Sequence, residues 1–270
     1  MTLLTTRNVV LLSLLLLAVA VPVLSSSGDR NPTFQHCLKG CLASSCPAPP
    51  HPPKRLPWYL SALGWTCSDN CAYYCSHSFT NNIRPGSRYH QFYGKWVFYR
   101  LGGIQEPFSV LMSLGNLYVN LQGLVEIRRR VRRENRLRRW LEVFSVIQIN
   151  TWIWSTVFHS RDTPTTERLD YFSATLTISL TLLYACLRIP LFITPLRFSR
   201  LALPAIGLIF FLIITHFTYL LSFPEGSFPY AYHTTFNLIL GLSHNLLWVL
   251  FSLNFVLRLP FPFPNPYPPN

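Results

Sequence analysis

Five long apolar stretches dominate the second half of this chain. A bilayer core about 30 Å thick needs about twenty predominantly apolar residues in a helix. It also leaves no backbone group unpaired, so each stretch is predicted to be helical. The predicted spans cover residues 107–127, 140–158, 170–190, 201–221 and 231–257. The fold class is therefore all-α and polytopic, with a transmembrane bundle over residues 107–258.

The pattern changes on both sides of this bundle. Residues 1–25 join one arginine to an almost wholly apolar run and then to small serines, which is typical of a signal peptide. A retained signal anchor is the alternative. Residues 26–106 are more polar and predict a small module in the lumen of the endoplasmic reticulum. Residues 259–270 alternate proline with other residues and predict an irregular tail.

The polar module contains six of the seven cysteines. An even number in a short translocated region indicates disulfides. Zinc is the competing interpretation, but the spacing lacks the paired two-residue gaps of zinc ribbons. The sequence does not choose among the possible pairings of Cys37, Cys41, Cys46, Cys67, Cys71 and Cys75.

The net charge of +13 would favour nucleic acid as a partner if it were spread over the surface. Instead, eight arginines and Glu134 contribute +7 between residues 128 and 139, in one loop between two apolar stretches. A basic loop beside membrane spans is predicted to face the cytosol. It suits contact with anionic membrane lipids, and we expect no nucleic-acid binding.

Chemically capable residues gather near the luminal ends of the predicted spans. Ser155 and His159 are four residues apart, so on a helix they share one face. Asp170 begins the next span, after a short turn that contains Arg161. Ionisable groups are costly in membranes and usually functional. We expect Ser155, His159 and Asp170 to converge in an active site, with Arg161 as a binding residue.

Two more histidines are predicted in the same layer. His216 lies about 8 Å below the luminal end of the fourth span, at 1.5 Å per residue, and His233 begins the fifth. Plainer interpretations exist: His159 bonded to a carbonyl, His233 in an interfacial aromatic belt, and Ser155 bonded to the carbonyl four residues earlier. Histidines of the polar module, such as His77, are expected to be solvated.

These residue types suit the hydrolysis of an ester. The imidazoles of His159 and His216, with His233 as a further binding residue, are typical zinc ligands. Zinc would supply hydroxide at neutral pH. Asp170 would accept a proton or orient a ligand, and Ser155 would donate a hydrogen bond to the oxyanion. The alternative makes Ser155 the nucleophile and His159 its base.

Five motifs occur together in this sequence. They are Cys37-Leu-Lys-Gly-Cys41, Cys67-Ser-Asp-Asn-Cys71-Ala-Tyr-Tyr-Cys75, Gly102-Gly-Ile-Gln-Glu-Pro-Phe-Ser109, Trp154-Ser-Thr-Val-Phe-His159 and His216-Phe-Thr-Tyr-Leu220. In combination they resemble one family, the post-GPI-attachment to proteins factor three family (the yeast-type "protein processing in the ER" proteins). That family is similar to alkaline ceramidases and progestin/adipoQ receptors, which form the CREST superfamily of seven-span membrane hydrolases.

The resemblance implies an enzyme of the endoplasmic reticulum or Golgi membrane that removes the sn-2 unsaturated acyl chain from GPI anchors. Its partners would be GPI-anchored proteins, their lipid moiety and membrane lipids. Ser155, His159 and Asp170 would match the superfamily's serine, histidine and aspartate. The family's final spans carry an Asp-Ala-His…Trp-His type motif that this sequence lacks. We therefore expect a truncated form with an incomplete metal site.

Two other functions fit the same pattern. One is a non-catalytic membrane factor whose module recognises GPI-anchored proteins during their maturation. The other is a receptor-like or transport bundle. A transport bundle predicts a polar path through the full membrane depth, whereas the ionisable groups here cluster near one face.

Overall fold

The computed structural model of the chain describes residues 26–46, 55–188, 195–224 and 227–257. The predicted signal peptide and proline-rich tail lie outside these residues. Within them, β-pairing is limited to two isolated bridges, Phe92 with Lys95 and Leu101 with Ile104. The helices are α1 (Pro32–Ser45), α2 (Trp58–Ala62), α3 (Cys67–Asn81), α4 (Pro107–Arg130), α5 (Arg136–Ser160), α6 (Pro164–Arg188), α7 (Pro195–Leu221) and α8 (Tyr230–Leu257). The all-α prediction is confirmed.

Proline is the first residue of four helices, at positions 32, 107, 164 and 195. Its fixed φ suits the first helical turn, where its missing N–H has no intrahelical partner to lose. This explains why α6 begins at Pro164, six residues before the predicted start of the third span at Asp170. The turn between the second and third predicted spans is therefore shorter than predicted and covers residues 161–163.

Three helices are long and apolar enough to cross a membrane: Pro107–Arg130, Pro164–Cys186 and Tyr230–Leu253. A shorter apolar helix, Ile206–Leu221, lies within α7. The predicted second span is also helical, but Glu142, Gln148 and Asn150 lower its mean hydropathy, and it is not among the three in the described part of the chain. The structure is that of a multi-pass membrane protein.

The chain divides into two compact units. The cysteine-rich unit comprises Leu24–Tyr118 and Trp152–Glu167. The bundle unit comprises Val119–Thr151 and Arg168–Asn270, as far as the structure describes them. Helices α4, α5 and α6 each contribute to both units.

A ladder of three disulfides joins α1 to α3 in the cysteine-rich unit. The pairs are Cys37–Cys75, Cys41–Cys71 and Cys46–Cys67, with Cα separations of 5.7 to 5.8 Å. Cysteines four apart share one helical face, so two antiparallel helices pair them in reverse order. The prediction of disulfides is confirmed, and the ladder fixes α1 against α3.

A small aromatic core backs this ladder. Phe34, Cys75 and Phe92 are buried together. Gly28 lies so close to the loop after α3 that a Cβ on this residue would be 2.5 Å from the Gln91 carbonyl oxygen. On a further segment, the indole N–H of Trp65 donates to the Gly103 carbonyl at 2.8 Å. These contacts tie the loops after α3 to the helical pair.

The bundle unit is packed through two apolar clusters. One joins Leu183 of α6 to Ile209 and Ile213 of α7. The other joins Leu220 of α7 to Phe228 and Tyr232 beside and within α8. Large apolar side chains stay exposed on the outer faces of these helices, including Phe210, Phe211, Ile214, Leu242 and Leu246. Such continuous apolar exposure is expected of helices that contact acyl chains.

Candidate functional site

The end of α5 is joined to the start of α4 by two backbone hydrogen bonds in the cysteine-rich unit. Gln105 N–H donates to the Ser160 carbonyl and Glu106 N–H donates to the His159 carbonyl, each at 3.0 Å. This pairing places the Glu106 carboxylate beside the His159 ring. Oε2 of Glu106 lies 2.9 Å from Nδ1 of His159. The two side chains are 12% and 24% exposed, so the pair is largely shielded from water.

The Glu106 carboxyl is held in its charged form. Burial raises its pKa, but the hydrogen bond and charge of His159, the charge of Lys95 and a hydrogen bond from Ser109 outweigh burial. The pKa of Glu106 therefore lies below its ordinary value of 4.5. An ionised carboxylate only accepts hydrogen bonds, so Nδ1 of His159 donates. Nε2 is then the basic nitrogen of the neutral ring.

Ser155 lies one helical turn before His159 on α5. Its Oγ lies 2.9 Å from Oγ of Ser113 on α4, and both side chains are buried. The Ser155 hydroxyl contacts Ser113 in the structure, rather than the carbonyl four residues earlier that the alternative prediction named. A serine pair leaves one hydroxyl hydrogen to donate elsewhere. Ser155 can therefore act as a hydrogen-bond donor one helical turn from His159 on the same face of α5.

Asp170 lies in the bundle unit and is 9% exposed on α6. Its backbone carbonyl accepts a hydrogen bond from Ser173. Nearby, Thr151 of α5 donates to the Ser173 carbonyl and contacts Thr177 Oγ1 at 2.8 Å, which fixes α5 against α6. Convergence of Asp170 with Ser155 and His159 stays a prediction from the sequence.

His216 and His233 form a buried pair in the bundle unit. Nε2 of His216 lies 3.2 Å from Nδ1 of His233, and Nδ1 of His216 lies 3.2 Å from the Tyr232 hydroxyl. The Asn237 amide donates to Nε2 of His233 at 3.1 Å and also to the His233 carbonyl. Because an amide N–H can only donate, hydrogen bonds in this chain run in one direction. Asn237 donates to Nε2 of His233, Nδ1–H of His233 donates to Nε2 of His216, and Nδ1–H of His216 donates to the Tyr232 hydroxyl. The His216 ring also stacks on Phe236 with centroids 3.9 Å apart.

The described residues do not complete a zinc site. Zinc sites use at least three protein ligands. Within those residues no group of three or more His, Cys, Asp or Glu side chains could hold a metal ion. His216 and His233 supply two imidazoles, and both are already engaged in the hydrogen-bonded chain. Zinc binding by His159 and His216 therefore stays a prediction, and no chemical step below depends on it.

A cleft of about 500 Å³ opens within the cysteine-rich unit. Arg161, predicted as a binding residue, lines it together with Asp162. The Arg161 guanidinium lies over the Trp65 ring at 3.7 Å and pairs with Asp69 at 2.7 Å. Asp69 also belongs to the capping box at the start of α3, because its carboxylate accepts a hydrogen bond from the N–H of Thr66, the N-cap residue.

Two further cations line the same cleft. Lys95 pairs with Asp162. The Arg100 guanidinium lies between the rings of Trp65 and Tyr73, at 3.3 and 4.0 Å from their centroids. Burial lowers the pKa of Arg100 to about 10, with Arg161 adding to this effect and Tyr73 opposing it. Arg100 is therefore still charged at neutral pH.

The prediction that the module's histidines are solvated is wrong for His77. This side chain is buried between Tyr73 and Tyr99, and its Nε2–H donates to the Phe98 carbonyl at 3.1 Å. Burial lowers the pKa of His77, which favours the neutral ring. His77 stays in place because its polar atom has a partner.

Glu106, Ser113 and Arg100 were not among the predicted site residues. Glu106 could have been identified, because it is an ionisable residue directly before an apolar span. Ser113 and Arg100 carry no such signal. Their partners are 42 residues away for Ser113 and 35 and 27 residues away in sequence for Arg100, so only the folded chain brings them together.

Comparison with known proteins gives a consistent result. The sequence profile of the Per1-like family matches residues 57–264. Protein PER1 homolog of Schizosaccharomyces pombe is 36% identical over 233 residues, which cover 84% of this chain and 68% of that protein. The GPI-specific phospholipase A2-like PGAP3 of Mus musculus is 36% identical over 253 residues, covering 92% and 76% respectively. The protein of the same name in Homo sapiens is 34% identical over 256 residues, with the same coverage. No solved structure matches.

Proposed function

This chain belongs to the Per1-like family, and on that premise we propose that it remodels GPI anchors by hydrolysing the sn-2 acyl ester of their lipid. The names of the relatives support a role in GPI-anchor remodelling. The hydrogen bond between Glu106 and His159 carries the catalytic part of the proposal. A carboxylate on Nδ1 leaves Nε2 free to accept a proton, as a general base requires.

The reaction begins with water and the ester carbonyl. Nε2 of His159 takes a proton from the water as its oxygen attacks the carbonyl carbon, and Glu106 stabilises the imidazolium that forms. The carbonyl electron pair moves to oxygen, where the Ser155 hydroxyl donates a hydrogen bond. When the tetrahedral intermediate collapses, the bond to the glycerol oxygen breaks. That oxygen takes the proton back from His159, giving a free fatty acid and a lysolipid.

A variant of this proposal makes Ser155 the nucleophile. The Ser155 oxygen would then attack the ester carbonyl while His159 takes its proton, and the glycerol oxygen would leave with that proton. Water would hydrolyse the acyl-serine with His159 again as base, which releases the fatty acid. A serine-reactive probe would label Ser155. The recorded partner of Ser155 Oγ is Ser113 rather than His159. A water nucleophile therefore agrees better with the geometry of the described residues.

We place this activity in the membrane of the endoplasmic reticulum or Golgi, with the cysteine-rich unit in the lumen. Three disulfides support an oxidising compartment. The basic residues at the end of α4, Arg128, Arg129 and Arg130, support a cytosolic loop that contacts anionic lipids.

Replacement of His159 tests the proposal in cells that lack their own copy of the protein. We expect GPI anchors on a reporter protein to lose their sn-2 unsaturated chain with the native chain and to retain it with His159→Ala. His36→Ala is the matched control, because His36 is exposed on α1. Mass spectrometry of the anchor lipid gives the readout, and immunoblotting checks protein level. Complete remodelling by His159→Ala would contradict the proposal.

A second candidate is a non-catalytic factor that helps GPI-anchored proteins mature. The cleft in the cysteine-rich unit favours this reading, because it offers a binding surface that needs no catalytic residue. It predicts that anchors are remodelled normally with His159→Ala, while GPI-anchored proteins are still retained or lost when the cleft is altered. The two candidates therefore give opposite results in the same assay.

A further inference from the structure

The cleft of the cysteine-rich unit has the size and lining of a ligand site. Its volume of about 500 Å³ lies within the range of small-molecule sites, about 300–1,000 Å³. The walls come from α3, from the segment between Phe92 and Arg100, and from the turn after α5. Aromatic side chains alternate with charged ones along these walls, a combination that binds amphipathic polar molecules.

The charges around the cleft do not balance. Three cations line it, Lys95, Arg100 and Arg161, against two carboxylates. Lys95 pairs with Asp162 and Arg161 pairs with Asp69. Among the described residues Arg100 has no carboxylate within ion-pair distance. Asp69, which pairs with Arg161, also attracts Arg100 at longer range. The lining still has one net positive charge, and Arg100 is the cation without an ion pair of its own among the described residues.

The position of Arg100 is fixed although its charge is uncompensated. Its guanidinium lies 3.3 Å from the Trp65 centroid and 4.0 Å from the Tyr73 centroid, so two rings hold it. In the described part of the chain, Nη1 of Arg100 donates a long hydrogen bond of 3.4 Å to Oδ1 of Asn70. A guanidinium has five N–H donors in one plane. No nitrogen of Arg100 is among the buried unpaired atoms of the described residues, so its remaining donors are accessible to an anion in the cleft.

The aromatic residues of the cleft suit a sugar. Arg100 already lies against the rings of Trp65 and Tyr73. Trp96 and Phe98 also line the cleft, and they are 54% and 45% exposed. Sugar rings present apolar C–H faces that pack on aromatic rings, while their hydroxyls bond to polar groups at the edges. Anion recognition at Arg100 and ring packing beside it specify a ligand that has both parts.

We propose that this cleft binds a phosphorylated glycan, with Arg100 on the phosphate and the neighbouring aromatic rings on the sugars. The inference rests on the proposed function, because it assigns to this cleft the phosphoinositol glycan that forms the headgroup of a GPI anchor. A planar guanidinium matches the oxygens of a phosphate in a bidentate arrangement.

The cleft and the candidate catalytic pair share the same two chain segments. Gln105 lines the cleft and is followed by Glu106, and Arg161 lines it two residues after His159. These residues all belong to the cysteine-rich unit. A headgroup held in the cleft would therefore keep its attached lipid close to Nε2 of His159, which raises the effective concentration of the ester.

Binding of a lipid-free probe to the full-length chain in detergent tests the inference. The probe is a glycan of mannose, glucosamine and inositol 1-phosphate without acyl chains, measured by calorimetry. We expect the same glycan without phosphate to bind at least about tenfold more weakly. Inorganic phosphate alone and vesicles containing phosphatidylinositol serve as separate arms. They distinguish a free anion or a plain lipid headgroup from the glycan.

Two arginine variants locate the site. Arg100→Gln is expected to weaken binding of the phosphorylated glycan at least about tenfold, and Arg100→Lys, which keeps the charge but loses the planar fork, is expected to be intermediate. Arg84→Gln is the control, because this arginine is exposed outside the cleft and undergoes the same change of charge. If Arg100→Gln fails to fold, the affinity of Arg100→Lys for the phosphorylated glycan is compared with that of the native chain. Equal affinity would then overturn the inference.

The outcomes separate this inference from the proposed hydrolysis. The probe has no ester, so His159→Ala should bind it as tightly as the native chain does. Glycan binding without any hydrolysis would exclude the proposed enzymatic activity and would support the binding site in the cleft. Hydrolysis without glycan binding, equal binding of the phosphate-free glycan, or equal binding by Arg100→Gln would overturn the inference. So would a preference for phosphate alone or for phosphatidylinositol vesicles.

Discussion

Glu106 accepts a hydrogen bond from His159 across 53 residues of sequence, with 2.9 Å between Oε2 and Nδ1. The pair closes the junction between the start of α4 and the end of α5, where two backbone hydrogen bonds already join the segments. The carboxylate fixes the ring tautomer and holds the ring in one orientation. His159 is therefore preorganised to accept a proton at Nε2.

Replacing Glu106 by glutamine should inactivate the protein without unfolding it. The glutamine amide can donate to Nδ1, which moves the ring proton to Nε2 and removes the base. We expect hydrolysis of the acyl ester to fall by about 10²- to 10⁴-fold, the range seen when the partner of a histidine is lost. Release of fatty acid by the purified chain gives the rate.

The control for this variant is Glu126→Gln on α4, the helix that begins directly after Glu106. Glu126 pairs with Arg130 near the end of α4 and both side chains are substantially exposed. The control loses the same charge but should keep full activity. Equal rates for the two glutamine variants would exclude Glu106 as the residue that orients His159.

The contribution of Glu106 to stability should depend on pH in a defined direction. Its pKa is lower in the folded chain than its ordinary value of 4.5. The unfolded chain therefore binds more protons below this value, and the stabilisation by Glu106 is lost as the pH falls through the folded pKa. As the pH falls below about 4.5, the difference in unfolding temperature between the native chain and Glu106→Gln should shrink. A difference that grows over this range would show the opposite shift.

Peptide mapping should recover the three disulfides of the α1–α3 ladder. Trypsin cleaves after Lys39 and chymotrypsin after Leu42, which separates Cys37, Cys41 and Cys46 from one another. Cleavage before Asp69 and after Tyr74 separates the three cysteines of α3. The expected cross-linked fragments are Cys37–Cys75, Cys41–Cys71 and Cys46–Cys67. Any other pairing would show that α1 and α3 are not antiparallel in this register.

Loss of the Cys37–Cys75 bridge should cost more stability than loss of the Cys46–Cys67 bridge. The first closes a longer loop, with a sequence separation of 38 against 21, and Cys75 belongs to the buried core. Removing a native disulfide from a small secreted domain costs about 2–5 kcal/mol. Unfolding of the two double-serine variants gives the comparison, and equal losses would contradict this order.

The His216–His233 pair should behave as a structural hydrogen-bonded chain. His216→Phe keeps a ring against Phe236 but leaves the Nδ1–H of His233 without its acceptor. We expect a loss of about 1 kcal/mol, the scale of buried side-chain hydrogen bonds between membrane helices. Replacing both histidines by phenylalanine removes the unpaired donor and should recover part of this loss. If the two substitutions lowered the free energy of unfolding by strictly additive amounts, the result would argue against a hydrogen bond between His233 and His216.

The five long helices, α4 to α8, could be predicted from sequence because length and apolar composition decide them locally. The three helices of the cysteine-rich unit that precede them were not predicted. Pro164 shows the limit of that approach. Its residue type marks a helix start, yet the apolar pattern alone puts the start at Asp170. The presence of disulfides was predictable from the even number of cysteines in the polar module. Their pairing was not, because only the folded chain shows which cysteines of α1 face those of α3.

Contacts between distant segments could not be predicted in the same way. Glu106 meets His159, and Arg100 lies between Trp65 and Tyr73, only after the loops of the cysteine-rich unit have folded. His77 looked solvated because its sequence neighbours are polar. It is buried because Tyr73 and Tyr99 flank it and the Phe98 carbonyl accepts its N–H.

The most direct test is fatty-acid release by the purified chain in nanodiscs, from a GPI lipid whose sn-2 chain is isotopically labelled. Our account predicts labelled free fatty acid with the native chain and with His36→Ala, and a loss of at least about a hundredfold with His159→Ala. Labelled acid released equally fast by His159→Ala, or none released by the native chain, would contradict it.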